Sequence, residues 1–364
     1  MFKNPAVALS QSDAARSDIA EKSDPPHALA KPRWLRWLRR GIHILGWIAV
    51  LAMGFVAVLR IAFHDGTYLL TCLNAFTFWL YVPAYACLAW AAWQRCWGMA
   101  VASAAVIACH VVWIAPDFFP AARESFAANA AEPSPTIRIF YANVSAVNRD
   151  HHGILSEIAD VNPDIVVLVE YRWRWHQSVK ASPTLADYPF GTPAVRPFQG
   201  EIAVFSKLPI TRSEKTWSTG RMSYMVDVSV GSDSLRLFCL HAPRPMTIAA
   251  QDYYGYWNLL VPMLMDQPQP MVVVGDFNAT QHSKVYRDLT EGGLRSAHRD
   301  RGRGYATTWP NGEFLMPPIR IDHALLSPGV ECLAIAEGRG RGSDHKPLIL
   351  DIRLRDTQPS PTGE

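Results

Sequence analysis

The stretch M-V-V-V-G-D-F-N, residues 271–278, joins an apolar run to a glycine and two polar side chains. The apolar half is typical of a buried strand, and the glycine predicts a turn at its end. Residues two apart on an extended chain point the same way, so Asp276 and Asn278 are expected to face one site. The carboxylate can accept a proton from water, and the amide can hold a phosphate oxygen or orient that water. Taken alone, an ordinary turn explains the stretch equally well.

A second apolar strand also ends in an acid. The run D-I-V-V-L-V-E, residues 164–170, ends in Glu170, and a carboxylate beside a buried strand needs a partner that offsets its desolvation. A metal ion is the simplest partner. Asn143, near the end of the earlier strand-like run at residues 137–144, can support the same ion.

Two further motifs stand near the C-terminus. G-S-D-H-K-P, residues 342–347, places Asp344 and His345 side by side in a loop, where one can bind metal while the other contacts phosphate. R-I-D-H-A-L, residues 320–325, sets Asp322 within a strand, where it can hold the ring of a catalytic histidine and fix its tautomer. An isolated S-D-H is usually a turn, whereas the whole ordered series indicates a site.

The order of these motifs resembles the endonuclease/exonuclease/phosphatase superfamily, which has the deoxyribonuclease-I-like fold. G-E-I-A-V-F-S-K-L-P-I, residues 200–210, is similar to the G-x-A-(I/V)-x-S-x-x-P-I segment of that family. L-H-A-P, residues 240–243, is similar to its T-H-x-x-P segment, with Leu240 in place of the threonine. The resemblance covers about residues 137–354. It implies an α+β fold, a four-layer α/β/β/α sandwich of two mixed sheets flanked by helices.

The resemblance also implies a metal-assisted, in-line displacement at phosphorus, with Mg²⁺ or Mn²⁺ as the ion. Glu170 would be its principal ligand, with Asn143 and Asp344 nearby. The expected substrate is therefore a phosphoester, and the expected activity is its hydrolysis.

The family resemblance assigns the chemistry to five residues. Asp276 would activate or orient the attacking water, and Asn278 would orient the phosphate. His345, paired with Asp322, would stabilise the charged phosphoryl oxygens or assist the leaving group. His241 would contact a phosphate oxygen or serve as a second acid.

Three apolar runs precede this region, and each has about the 20 residues that a helix needs to cross roughly 30 Å of hydrocarbon. Buried helices of a soluble core are the alternative, but three successive runs without a polar face favour a membrane. The sequence thus predicts three transmembrane α-helices ahead of the sandwich and the lipid bilayer as a partner. The expected organisation is a disordered basic cytoplasmic tail at 1–40, three transmembrane helices at 41–115, a linker at 116–136, the catalytic domain at 137–355 and a disordered tail at 356–364.

The positions of the basic residues predict how the chain is oriented in the membrane. Five basic residues stand just before the first run, and Arg95 lies between the second and third. Because positive flanks stay in the cytoplasm, the N-terminus is expected inside. Three crossings then place the catalytic domain outside the cytoplasm, on a multi-pass protein of the inner or plasma membrane. The five flanking residues are Lys31, Arg33, Arg36, Arg39 and Arg40.

Charge also bears on the substrate. Residues 1–130 hold 11 of the 35 Lys and Arg and 7 of the 32 Asp and Glu, which leaves 24 against 25 for the remainder. A near-neutral catalytic part mildly disfavours duplex DNA, since duplex-binding proteins carry a basic footprint. The leading hypothesis is a phosphodiesterase acting on lipid head groups, nucleic acid or small phosphoesters. A metal-dependent endo- or exonuclease and a catalytically dead membrane scaffold are the alternatives.

Overall fold

The computed structural model describes residues 32–120, 135–192, 201–218, 220–246, 249–268, 270–303, 305–312 and 316–355. The chain divides into two compact units, residues 1–48 and 49–364. In the first unit the described residues form the beginning of one long helix. The second unit holds the rest of that helix and every other described element. Residues 1–31 of the tail expected at 1–40, the tail expected at 356–364 and most of the linker expected at 116–136 lie outside the described residues.

The N-terminal region is helical. Its helices are α1 (Arg33–Phe63), α2 (Tyr68–Ala75), α3 (Thr77–Leu80), α4 (Pro83–Gln94) and α5 (Trp97–Phe118). Helices α1 and α5 are each long and apolar enough to cross a membrane. The segments Tyr68–Ala75 and Thr77–Gln94 reach that length only as a pair, and the pair is bent by 76°. The described helices therefore provide two spans, or three if the bent pair is one span, where the sequence predicted three.

The ends of these helices differ from the expected ones. Helix α1 begins at Arg33 rather than near residue 41, since the Leu and Arg residues there favour helix. The chain leaves α1 through a short polar turn, and the Thr67 hydroxyl then accepts from Leu70 N at 3.3 Å and starts α2. A first-turn proline, Pro83, begins α4 after the bend.

The C-terminal region contains two six-stranded sheets. The first sheet has the order β11-β12-β1-β2-β4-β3, and the second has the order β5-β6-β7-β8-β10-β9. The strands are β1 (Thr136–Asn143), β2 (Ile165–Val169), β3 (Phe190–Gly191), β4 (Ile202–Ser206), β5 (Ile210–Ser218), β6 (Arg221–Val230), β7 (Asp233–His241), β8 (Met271–Asp276), β9 (Arg295–Ser296), β10 (Asp322–Leu326), β11 (Val330–Glu337) and β12 (Leu348–Leu354). The helices are α6 (His151–Val161), α7 (Trp173–Ala181), α8 (Ala250–Met265), α9 (Lys284–Glu291) and α10 (Ala297–Asp300).

Three apolar cores show that the sheets and helices are layered. The largest core lies between the sheets, and Val167 of the first sheet and Val274 of the second both belong to it. A second core joins the outer face of the second sheet to α8 and α9, and a third joins the outer face of the first sheet to α6 and α7. The α/β/β/α sandwich predicted from the sequence is confirmed.

The N-terminal region, with the membrane-type helices α1 to α5, contacts the sandwich directly. Arg60, near the end of α1, is buried and donates to the hydroxyl of Thr77, to Asn74 Oδ1 at 3.3 Å and to the carbonyl of His282 at 3.4 Å. Asp65, in the next turn, accepts from the backbone N–H of Lys284 at 2.5 Å. These contacts fix the α1–α3 region against the loop and helix that follow β8.

Phe78 and Trp79 make further contacts with the sandwich. Trp79 donates its indole N–H to the carbonyl of Pro318 at 2.9 Å. Phe78 stacks on Tyr305 with ring centroids 4.0 Å apart. Helix α3 is therefore held to the loop segments that precede β10.

Candidate active site

Strand register brings three site residues into one row. In the second sheet His241 of β7 pairs with Asp276 of β8, and Asp276 pairs in turn with Asp322 of β10. Directly paired residues on neighbouring strands point to the same face of a sheet. The three side chains therefore lie side by side at the same end of these three strands.

His345 joins this row from the loop before β12. Its Nδ1 lies 2.9 Å from Oδ2 of Asp322, and the other carboxylate oxygen accepts from the Tyr141 hydroxyl at 2.8 Å. The Ser343 hydroxyl accepts from the backbone N–H of His345 at 3.1 Å and fixes the loop. Burial opposes protonation of His345, but Asp322 and Asp276 outweigh it and raise its pKa to about 9. The structure thus brings together the two residues that the sequence expected to pair.

Asp276 occupies the centre of the site and is fully buried. Its Oδ1 accepts from the backbone N–H of Asn278 at 2.9 Å, and its Oδ2 accepts from the Asn143 amide at 3.1 Å. The same Oδ2 lies 3.8 Å from Nε2 of His345 and 3.8 Å from Nε2 of His241. Burial raises the pKa of the Asp276 carboxyl, and the nearby Asp322 raises it further.

The first sheet supplies Glu170 and Asn143. Asn143 ends β1 and pairs in register with Val169, so Glu170 follows one residue beyond. The Asn143 amide donates to Glu170 Oε1 at 3.3 Å and thereby bridges the carboxylates of Glu170 and Asp276. The backbone N–H of Ala146 donates to Glu170 Oε2 at 2.8 Å. Both sheets therefore contribute carboxylates to one site.

Two site residues have left-handed backbone. Glu170 has a φ of 55° and Asn278 a φ of 47°, a region that costs most side chains free energy. Such conformations concentrate at functional sites, where the surrounding structure holds them. Asn278 is held by its amide, which donates to the carbonyl of Ala242 at 2.9 Å.

Asp344 lies at the edge of the site. Its Oδ2 accepts from the indole N–H of Trp309 at 3.4 Å, and its carbonyl accepts from the backbone N–H of Asn311 at 2.7 Å. The ligand atoms that lie within 4.8 Å of one another belong to Asp276, Asp322 and His345, among the described residues. That buried trio differs from the ligand set of Glu170, Asn143 and Asp344 expected from the family pattern, which stays a prediction.

The structure adds residues that the motifs did not single out. Glu201 Oε2 lies 3.5 Å from Nδ1 of His241, and this contact lowers the pKa of Glu201 to about 2 although burial opposes the shift. Arg244 donates to Glu170 Oε1 at 3.2 Å. Glu201 stands in the quoted segment 200–210, so its position in that motif was the available signal. Nothing in the sequence marked Arg244 or the Tyr141 hydroxyl.

Comparison with known proteins identifies the family of the chain. The sequence model of the endonuclease/exonuclease/phosphatase family matches residues 139–345, more than half of the chain. The chain belongs to this family. It is therefore a phosphoester hydrolase, as the sequence predicted, and the enzymes of the family depend on divalent metal. A search of curated protein sequences finds no match.

Solved structures include proteins that are similar to this chain. D. rerio TDP2 in complex with a single-strand DNA product is 18% identical, with a TM-score of 0.51, over 60% of this chain and 99% of that chain. Sphingomyelinase C from Streptomyces griseocarneus is 19% identical, with a TM-score of 0.47, over 60% and 99% of the two chains. A family protein from Bacteroides thetaiotaomicron is 17% identical, with a TM-score of 0.49, over 62% and 100%. At 18% identity the likeness to TDP2 concerns the fold alone.

The donor set of the site fits a hard divalent cation. Carboxylates of Glu170, Asp276 and Asp322 converge on one region, and Asp276 and Asp322 are both fully buried. Oxygen ligands of this kind suit Mg²⁺ or Mn²⁺, and a cation offsets the mutual repulsion of the carboxylates.

Proposed function

We propose that this enzyme is a membrane-anchored, divalent-metal-dependent phosphodiesterase whose catalytic domain lies outside the cytoplasm. The observation that carries the proposal is the position of Asp276. It lies 3.8 Å from both His345 and His241 and is bridged to Glu170 by the Asn143 amide. A base, two imidazoles and a candidate metal ligand therefore surround one space.

The resident ion would be held by Glu170, with Asn143 and Asp344 nearby, and when bound it supplies Lewis acidity toward a phosphoryl oxygen. Asp276 is placed to take a proton from the attacking water, and its raised pKa strengthens it as a base. One N–H of the Asn278 amide donates to the carbonyl of Ala242, and the second N–H can donate to a phosphate oxygen.

The two imidazoles are suited to stabilise negative charge on the oxygens of the phosphate. Asp322 holds Nδ1 of His345 and so turns its Nε2 toward Asp276. From there Nε2–H can donate to a phosphoryl oxygen or to the leaving oxygen. His241, held between Glu201 and Asp276, is suited to contact a second phosphate oxygen.

The location of the domain rests on the order of charge and crossings. Two or three apolar N-terminal helices indicate membrane association. We infer that the basic residues before α1 and Arg95 between α4 and α5 remain in the cytoplasm. Three crossings then put the catalytic domain on the side of the membrane away from the cytoplasm. The membrane is the inner or plasma membrane.

The test is hydrolysis by the full chain in an amphipathic polymer, with Mg²⁺ or Mn²⁺ and with chelator. Bis(p-nitrophenyl) phosphate is compared with p-nitrophenyl phosphate. We expect metal-dependent hydrolysis of the diester at a higher kcat/KM than the monoester, and its loss in Asp276→Asn. Preference for the monoester would make the enzyme a phosphatase. Activity that survives the chelator would remove the metal from the mechanism.

A further inference from the structure

A cleft of about 240 Å³ opens onto the active site, and residues of the membrane-type helices form one of its walls. Cys72, Ala75 and Phe76, from α2 and the bend after it, line this wall. Asn278 and His345 of the active site also line the cleft. The cleft thus reaches from the bent helix pair to the groups proposed to hold phosphate.

The lining of the cleft is apolar. Nine of the twelve lining residues carry apolar side chains, and the other three are Arg244, Asn278 and His345. Trp309 and Ile319 continue the apolar lining on the side of the sandwich. A nucleic acid needs a groove with many cationic contacts along its backbone, and this lining offers one arginine. A hydrocarbon chain ending in a phosphoester matches both the apolar wall and the polar end.

The cleft is built from fixed parts. On the membrane side, Arg60 bonds to Asn74 and Thr77 on either side of the bend. On the other side, the indole of Trp79 bonds to Pro318, next to Ile319. The two walls are therefore tied together by contacts that do not involve the cleft.

The outer side of α2 indicates where an occupant comes from. Leu69 of α2 is 66% exposed and Phe63 at the end of α1 is 61% exposed, while Thr71 and Asn74 face inward. Exposed large apolar residues beside a membrane-type helix are the lipid-facing kind. The cleft therefore lies next to the region where α1 and α2 would meet the bilayer.

We propose that the cleft holds the hydrocarbon chain of a membrane lipid whose phosphoester bond reaches His345 and Asn278. The inference rests on the proposed function and names its substrate class: an amphiphilic phosphoester taken from the bilayer. The cleft is smaller than the roughly 300–1,000 Å³ of sites that enclose a whole drug-sized molecule. The cleft therefore holds the part of the hydrocarbon chain next to the phosphate, and the rest of the lipid stays in the bilayer.

The test measures binding separately from turnover. Kd values of n-alkyl phosphonates from methyl to octyl are measured with Mg²⁺ for the full chain in an amphipathic polymer. We expect Kd to fall about fourfold per added methylene until the cleft is full. In Ala75→Trp, which fills the cleft, this dependence should be lost. Leu69→Trp, on the exposed side of the same helix, should keep the wild-type dependence.

A second variant guards against a folding defect. Met316→Gln keeps the length of the side chain but places an amide in the cleft lining, and it should weaken the chain-length dependence without filling space. Partition of the alkyl chain into the polymer affects all variants equally. The test therefore compares the chain-length dependence of Kd in Ala75→Trp with that in Leu69→Trp. The lipid cleft is overturned if Kd depends equally on chain length in these two variants, or if it does not depend on chain length in wild type.

Two further outcomes separate the lipid cleft from the proposed function. If wild type hydrolyses bis(p-nitrophenyl) phosphate while its Kd does not depend on chain length, the lipid cleft fails and the phosphodiesterase stands. If the chain-length dependence is present without any diester hydrolysis, the phosphodiesterase fails and the cleft stands. A single-stranded oligonucleotide that binds more tightly than octyl phosphonate, equally in wild type and Ala75→Trp, would assign the site to nucleic acid and overturn the lipid proposal.

Discussion

His345 Nδ1 lies 2.9 Å from Oδ2 of Asp322, and the two side chains are 1% and 0% exposed. Water does not screen a pair buried to this degree, so the carboxylate both orients the ring and favours its charged form. The hydroxyl of Tyr141 occupies the other oxygen of Asp322. The pair is therefore a positioning device for Nε2 of His345, which faces Asp276.

The first prediction concerns Asp322→Asn. The amide cannot accept from Nδ1 and also from Tyr141 as a carboxylate does, so the ring loses its fixed tautomer. We expect kcat for a diester to fall on the order of 10²- to 10⁴-fold with little change in KM. Tyr141→Phe, which leaves the carboxylate in place, should cost far less. A wild-type kcat in Asp322→Asn would show that His345 works without this partner.

The second prediction is that Asp276 and His345 act on the same chemical step. Asp276→Asn and His345→Ala should each lower kcat and kcat/KM together, on the order of 10²- to 10⁴-fold. Because both would act on one transition state, the double variant should be slowed by less than the product of the single effects. A raised KM at constant kcat in either variant would instead make that residue a binding group.

The third prediction assigns the ion to Glu170. Glu170→Gln keeps the size of the side chain and the apolar body of β2, so the fold should persist while metal-dependent hydrolysis is lost. Titration with Mn²⁺ followed by calorimetry should show binding in wild type and none in the variant. Glu331→Gln, in β11 at an ion pair with Arg353, is the matched control and should bind as wild type does. Wild-type turnover of Glu170→Gln at limiting Mg²⁺ would rule out this assignment.

The fourth prediction concerns topology. A reporter fused after Glu364 should be active as alkaline phosphatase and dark as a cytoplasmic fluorescent protein, because the proposed three crossings would carry the C-terminal region out of the cytoplasm. The same reporters fused at the N-terminus should give the opposite result. A fluorescent C-terminal fusion would mean that the bent pair of helices does not cross, and catalysis would then be cytoplasmic.

Much of the sandwich could be predicted because its inner strands have uninterrupted apolar runs. Strands β2, β8 and β10 lie within one or two residues of the runs at 164–170, 271–278 and 320–325 in which strands were predicted, since each strand is buried on both faces. Strand β5 was not predicted, because charged and polar residues occupy this edge strand. Edge strands need little apolar sequence, and their pairing is set by the neighbouring strand.

The site was harder to predict than the fold. The pairing of Asp322 with His345 follows from two short motifs, but the bridge that Asn143 makes between Glu170 and Asp276 depends on how the two sheets pack. The left-handed backbone at Glu170 is equally invisible in sequence, since non-glycine residues rarely adopt it. The contribution of the bent helix pair to the cleft required the relative positions of segments more than 200 residues apart.

The last prediction concerns Gly275, which precedes Asp276. A Cβ added at this position would overlap the backbone carbonyl oxygen of Leu240, its register partner on β7. A carbonyl in a sheet cannot move aside without separating the strands, so Gly275→Ala should destabilise the domain by about 3 kcal/mol. The same separation would pull His241 from Asp276, the next pair in the register, and kcat should fall as well.

Val274→Ala is the comparison for Gly275→Ala, because it changes the neighbouring core residue in the opposite sense. It removes buried methyl groups and should cost about 2 kcal/mol while leaving the register, and hence kcat, close to wild type. Thermal unfolding and diester turnover of the full chain measure both effects. If Gly275→Ala kept the wild-type Tm and kcat, the close approach of β7 and β8 would not be what sets the spacing of His241 and Asp276.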